Sequence, residues 1–101
     1  MPVSLMLQSG TATVVVSGAC TRELQHAFRE CCEQALGDTE CTHLDLDLSA
    51  IDCLDSSTLG VLLLVKEKAA GLSKPMRLLG VQGPALQHLQ VARFDKLFRL
   101  V

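Results

Sequence analysis

The sequence predicts a single α/β domain on a mixed sheet of about five strands, in the order ββαβαβαβ, with helices packed mainly on one face. Three observations predict it. Hydrophobic periodicity switches back and forth along the chain between two residues and three to four. Glycine punctuation is regular, at Gly10, Gly18, Gly37, Gly71, Gly80 and Gly83-Pro84. The segment His43 to Ser49 alternates strictly, with Leu44, Leu46 and Leu48 set against His43, Asp45 and Asp47. A chain of 101 residues suits one compact domain, 1–101.

Ser4 to Gln8 and Thr11 to Ser17 read as two strands around a tight Ser9-Gly10 turn, the second carrying the β-branched run Val14-Val15-Val16. Thr21 to Leu36 reads as a helix. Leu24, Phe28, Cys31 and Ala35 recur at steps of three and four, with Ala27 and Cys32 beside them and charged residues opposite. Thr21 is its expected N-cap and Gly37 its stop. The polar face of the His43 strand is unusual for a central parallel strand. It implies a sheet covered on one face, or aspartates bonded to neighbouring loops or helix starts.

Leu59 to Ala70 reads as the second helix and the most buried one, with Leu59, Leu62, Leu63 and Ala70 inward and Val61, Leu64 and Val65 widening that face. Met76 to Val81 is a strand. Pro84 to Val91 is a short helix with Pro84 in its first turn and Leu86 and Leu89 inward, and Leu97 to Val101 is a terminal strand. Each strand–helix–strand step calls for a right-handed crossover between parallel strands.

Composition excludes several functions. Net charge is -2, and the basic residues are scattered. The nearest to a cluster, Lys66, Lys68, Lys74 and Arg77, reads as a solvated face. Aromatic residues make up 3% of the chain, with no Trp or Tyr, so no nucleic-acid partner is expected. The longest apolar run, Val61 to Val65, is far below the roughly 20 residues of a membrane span, so direct membrane insertion is not expected. The first ten residues lack the basic and apolar regions of a signal peptide. Five cysteines, an odd number with Cys31 and Cys32 adjacent, argue against a disulfide framework and for a reduced cytoplasm.

Ligand spacing is absent from His26, His43 and His88, and no cofactor or metal is expected. Cys31, Cys32 and Cys53 fall on apolar positions, whereas Cys20 and Cys41 lie near element ends as candidate exposed thiols. Asp45 and Asp47 share a strand face, where a weak Mg²⁺ contact is conceivable but a solvated face is the better reading. Gly80 to Pro84 lacks the ending of a phosphate loop, and Ser56 lacks the setting of a hydrolase nucleophile. No enzyme is expected.

In α/β sheets, sites gather beyond the C-terminal ends of strands. Asp55-Ser56-Ser57-Thr58 occupies such a place, ahead of the second helix. A phosphate on Ser56 would meet free backbone N–H groups there and bring about -1.5 to -2 charges close to Asp52 and Asp55. The same run also serves simply as an N-cap, and spacing alone does not separate the two.

The stretch Leu46 to Leu62, with Asp47-Leu48-Ser49 and Asp55-Ser56-Ser57-Thr58-Leu59-Gly60 inside it, resembles the hallmark of STAS domains, above all the bacterial anti-sigma factor antagonists. Chain length and element order agree with that family. The resemblance implies that Ser56 is the phosphoacceptor. It also implies that Asp55, Ser56, Ser57, Thr58, Leu59 and Gly60 form the partner-binding segment. The implied partners are an anti-sigma factor with a histidine-kinase-like ATPase fold, acting as a serine kinase, and a PP2C-type phosphatase. The unphosphorylated chain would sequester the anti-sigma factor, and phosphorylation would release it. Thr58 departs from the family pattern, where Gly is usual, and is a rival acceptor. An alternative role in the same family is an accessory subunit of a lipid-transporting ABC complex.

Overall fold

The computed structural model describes residues 2–101. Its elements are β1 (Val3–Gln8), β2 (Thr11–Gly18), α1 (Arg22–Gly37), β3 (His43–Ile51), α2 (Ser56–Gly71), β4 (Met76–Leu79), α3 (Gly83–Val91) and β5 (Arg99–Leu100). The five strands form one sheet in the order β1-β2-β3-β4-β5. The β1–β2 hairpin is antiparallel and every other pair is parallel.

Strand order matches chain order, so each crossover steps in the same direction. Right-handed connections then place α1, α2 and α3 on one face of the sheet. Burial follows. Ala12, Val14 and Val16 of β2, Leu44, Leu46 and Leu48 of β3, and Leu78 of β4 are nearly inaccessible and form the sheet side of the core. The helices contribute Leu24, Phe28, Cys32, Ala35 and Leu36 from α1, Leu59, Leu62, Val65 and Ala69 from α2, and Ala85 and Leu89 from α3.

Helix faces differ from expectation by about one position. Cys32 rather than Cys31 is fully buried in α1, Ala69 rather than Ala70 in α2, and Ala85 pairs with Leu89 in α3 while Leu86 is half-buried. Ala85 and Leu89 are four apart, and such residues share a helix face. Leu64, expected to widen the buried face of α2, is 49% exposed. Gly37 is the last helical residue of α1, and Asp38 is its C-cap.

The other sheet face is open but not uniformly solvated. Asp45 is 4% exposed. Arg77, its register neighbour on β4, covers it with a two-pronged ion pair at 2.9 and 2.6 Å. Asp47 instead accepts from the Ser49 amide and hydroxyl, at 3.0 and 2.7 Å. The aspartates thus have structural partners, on β4 and within β3, in place of the solvated face or loop contacts expected of them. Two members of the supposed solvated basic face are also structural. Arg77 holds Asp45, and Lys74 Nζ donates to the Leu36 and Asp38 carbonyls at 2.6 and 3.1 Å, capping α1.

The parallel register of β2 and β3 shifts between Val15 and Ser17, where β3 carries an extra residue near Ser49. Gly80 closes β4 against this bulge. Its φ is +69°, and a Cβ there would lie 2.8 Å from Ser49 Cβ. This left-handed position ends β4 two residues before the predicted boundary at Val81.

Candidate functional site

The site forms where β3 leaves the sheet. The chain runs from Ile51 through an irregular Asp52–Asp55 segment into α2. Leu54 turns inward and is 1% exposed, which anchors the segment. The Leu54 amide donates to His88 Nδ1 at 3.1 Å, tying the segment to α3.

Asp55 is the N-cap of α2. Its backbone is extended, and its Oδ1 accepts from the Thr58 amide at 2.8 Å. Its carbonyl accepts from the Leu59 amide at 2.9 Å. Gln25 Nε2 of α1 approaches the same Oδ1 at 3.5 Å. Hydrogen bonding to Thr58 is the main cause that holds the Asp55 carboxyl below its ordinary range, outweighing a smaller opposing effect of burial. The helix therefore begins three residues before the predicted Leu59. The polar Asp55-Ser56-Ser57 run looks like a break in the apolar pattern, but it is the cap and first turn.

Ser56 and Ser57 are the first two helical residues, and both are exposed. Helix geometry gives their amides no carbonyl within the helix. Asp55 serves the next two amides, so the free donors of α2 are those adjoining the Ser56 hydroxyl. The positive end of the helix dipole lies there as well.

The six residues expected to form a partner-binding segment separate by burial. Asp55, Ser56, Ser57 and Gly60 are exposed, whereas Thr58 is 2% and Leu59 is 8% exposed. Thr58 is the third helical residue, and its side chain is buried beneath the first turn of the helix. Its Oγ1 is buried without a hydrogen-bond partner. Helix phase thus buries the hydroxyl expected to rival that of Ser56, which is exposed.

An open groove of about 410 Å³ runs beside Ser56, lined by Leu54, Asp55, Ser56, Leu59, His88, Val91 and Ala92. Its walls are the start of α2 and the end of α3, and Val91 at its rim is 84% exposed. In the sequence, His88 is tested only as a metal ligand and Val91 is read only as a helix end, and neither is placed beside Ser56. The repeat of α3 places both on its outer side, but nothing local says that this side faces Ser56.

Cys41, a candidate exposed thiol, is 1% exposed. Cys20 is partly exposed, as is Cys53, which had been assigned to an apolar position. No group of three or more possible metal ligands occurs among the described residues, and none of their helices is long and apolar enough to cross a membrane.

Comparison with known proteins identifies the architecture. A family model described as "Mlab, STAS domain" matches residues 3–101. The chain belongs to the STAS domain family.

Solved structures share this STAS fold. An anti-sigma factor antagonist from Mycobacterium paratuberculosis superposes with a TM-score of 0.84 at 22% identity, covering 97% of this chain and 82% of that one. The phosphorylated form of the Bacillus cell fate determinant SpoIIAA superposes with a TM-score of 0.75 at 15% identity, covering 98% and 90%. RsbS of Moorella thermoacetica, in a variant form, gives 0.84 at 18%, covering 100% and 86%. At these identities the likeness establishes the common fold. No curated protein sequence matches significantly. The STAS site described above is an open surface with a hydroxyl at a helix start, not an enclosed reaction centre.

Proposed function

We propose that this STAS domain is an anti-sigma factor antagonist in the cytoplasm, switched by phosphorylation of Ser56. The observation that carries the reading is the exposed Ser56 at the first position of α2, beside an apolar groove. A kinase can reach that hydroxyl, and a partner seated on the groove must cover it. Two of the solved relatives above are an anti-sigma factor antagonist and a phosphorylated fold-mate, which supports the same choice.

The mechanism is local electrostatics. The unphosphorylated surface offers a neutral hydroxyl and apolar walls to an anti-sigma factor with a histidine-kinase-like ATPase fold. That partner uses ATP to phosphorylate Ser56. The phosphate adds about -1.5 to -2 charges. The free amides of Ser56 and Ser57 and the helix dipole hold it at its own site, so the domain stays folded. Asp55, next to it in the chain, and Asp52, on the same segment, are exposed and add to the negative charge. Desolvating that cluster under a partner is unfavourable, and the complex dissociates. A PP2C-type phosphatase restores the hydroxyl.

The test combines chemistry with affinity. Incubation with the cognate kinase and ATP, followed by phosphopeptide mass spectrometry, should place a single phosphate on Ser56. Ser56→Asp should weaken the kinase complex by about tenfold or more, or about 1.4 kcal/mol, with Ser56→Ala close to wild type. Equal affinities for the two variants, or an unmodified Ser56 under an active kinase, defeat the proposal. Copurification with an ABC ATPase instead of a kinase would support static docking of the same groove in a lipid-transport complex.

A further inference from the structure

Cys20 and Cys53 meet at the same end of the sheet as Ser56. Gly18 and Ile51 are the last paired positions of β2 and β3, and the Asp52 amide still donates to the Gly18 carbonyl at 3.0 Å. Two residues beyond that last pair, on each chain segment, stand the two cysteines. Their sulfurs are 3.6 Å apart, with the Cys53 thiol donating to Cys20 Sγ. The Cys20 thiol in turn donates to the Cys53 carbonyl, at 2.7 Å. Both are free and partly exposed.

We propose that Cys20 and Cys53 form a hydroperoxide-responsive dithiol that closes reversibly to a disulfide and clamps the starts of α1 and α2 together. This goes beyond the phosphorylation reading and stands whether or not a kinase acts on Ser56.

Geometry favours closure. The sulfurs stand 3.6 Å apart, two residues past a strand pair, and a disulfide needs about 2.05 Å. The sulfurs can therefore reach bonding distance by side-chain rotation, with little demand on the backbone. The remaining cysteines are poor competitors. Cys32 and Cys41 are buried. Cys31 and Cys32 are consecutive on α1, and consecutive helical side chains do not face each other.

The chemistry balances with hydrogen peroxide as the oxidant. Cys20 gives up its proton, and its thiolate attacks one peroxide oxygen. The O–O bond breaks, Cys20 becomes a sulfenic acid, and the departing hydroxide takes that proton as the first water. Cys53 sulfur then attacks Cys20 sulfur. The S–S bond forms, the S–O bond breaks, and the hydroxyl leaves with the Cys53 proton as the second water. Two thiols have lost two electrons, and the peroxide has gained them. The order of events follows from the hydrogen bond. Cys20 sulfur, accepting the Cys53 proton, is the main cause that raises the Cys53 thiol above its ordinary range. The Cys53 thiol is aimed at Cys20 sulfur, the atom that it attacks in the second step.

The clamp would act on the functional site. Cys20 immediately precedes Thr21, the N-cap of α1, and Cys53 lies two residues before Asp55, the N-cap of α2. Besides the thiol hydrogen bonds, a long Gln25–Asp55 contact links these helix starts. A covalent bond there restrains the segment that presents Ser56.

The experiment uses the full reduced chain alone, exposed to a few equivalents of hydrogen peroxide and then alkylated. Digestion with trypsin and an aspartate-specific protease should yield residues 1–22 joined to 52–54, with the intact mass lowered by two hydrogens. Dithiothreitol should reverse it. Cys20→Ser or Cys53→Ser should abolish the cross-link, and Cys31→Ser should retain it. A different pairing, or a sulfinic acid as the stable product at either residue, overturns the proposal. Amide hydrogen exchange over residues 52–58 should slow severalfold on oxidation, and unchanged exchange there overturns the clamp. Because no kinase is present, the outcome is separate from that of the Ser56 test.

Discussion

The Leu54 amide of the site segment donates to the imidazole of His88 on α3, 34 positions along the chain, at 3.1 Å. Leu54 is 1% exposed, so its amide has little access to water as a substitute. His88→Ala should cost about 1 kcal/mol, because a buried donor loses its partner. Hydrogen exchange at Leu54 should accelerate in that variant. His88→Asn, which can offer an oxygen near the lost nitrogen, should recover part of both effects.

Asp55→Ala should destabilise the domain by about 1 kcal/mol through loss of the α2 cap, a fall of roughly 4–8 °C in Tm for a domain of this size. Asp55→Asn keeps an acceptor and should cost less. The pH dependence has a definite sign. The carboxyl is held below its ordinary range when folded, so its stabilisation is complete above about pH 4, near the unfolded value. It is lost as pH falls through the lower, folded value. Denaturant unfolding of wild type and Asp55→Asn should therefore show a stability difference that shrinks on acidification.

Thr58 carries a buried hydroxyl without a partner. Thr58→Val keeps the shape and removes the unsatisfied group, and should stabilise the protein by about 1 kcal/mol in urea unfolding. Thr58 should also remain unmodified when Ser56 is blocked as Ser56→Ala and the kinase is supplied, since its side chain lies beneath α2.

Gly80→Ala should destabilise by about 1–3 kcal/mol, combining a left-handed φ with overpacking against Ser49. The effect should reach the site only weakly, because the clash lies at the β3–β4 junction. Circular dichroism melting would report the loss, and Ser49→Gly should relieve much of it by removing the atom that the new Cβ meets.

The fold was legible because its signals are local. Alternation of Leu44, Leu46 and Leu48 sets a strand and its inner face, and the Ser9-Gly10 turn sets the hairpin. Thr21, bonded by the Leu24 amide at 3.1 Å, caps α1 as its side chain suggests. The place of Ser56 at a strand–helix junction was legible for the same reason, from a contiguous run of residues. Other features depend on side chains brought together from more than thirty residues apart. Arg77 over Asp45, His88 on the Leu54 amide, Lys74 on the end of α1 and Cys20 against Cys53 are all of that kind. Periodicity places each residue on a face, but only the sheet register says what stands opposite. The start of α2 was read three residues late because capping residues are polar and interrupt the apolar rhythm that marks a helix.

Strand order that copies chain order has a bearing on how the domain is made. As synthesis proceeds from the N-terminus, the hairpin appears first, and each later strand finds the edge of its predecessor still vacant. No strand has to be inserted between two that are already joined. The edge reached last in this order is Arg99–Leu100, a pair of residues too short to template another neighbour well. The same sequential path that eases assembly thus leaves a blunt margin on the β5 side, while the six-residue β1 keeps the opposite edge open.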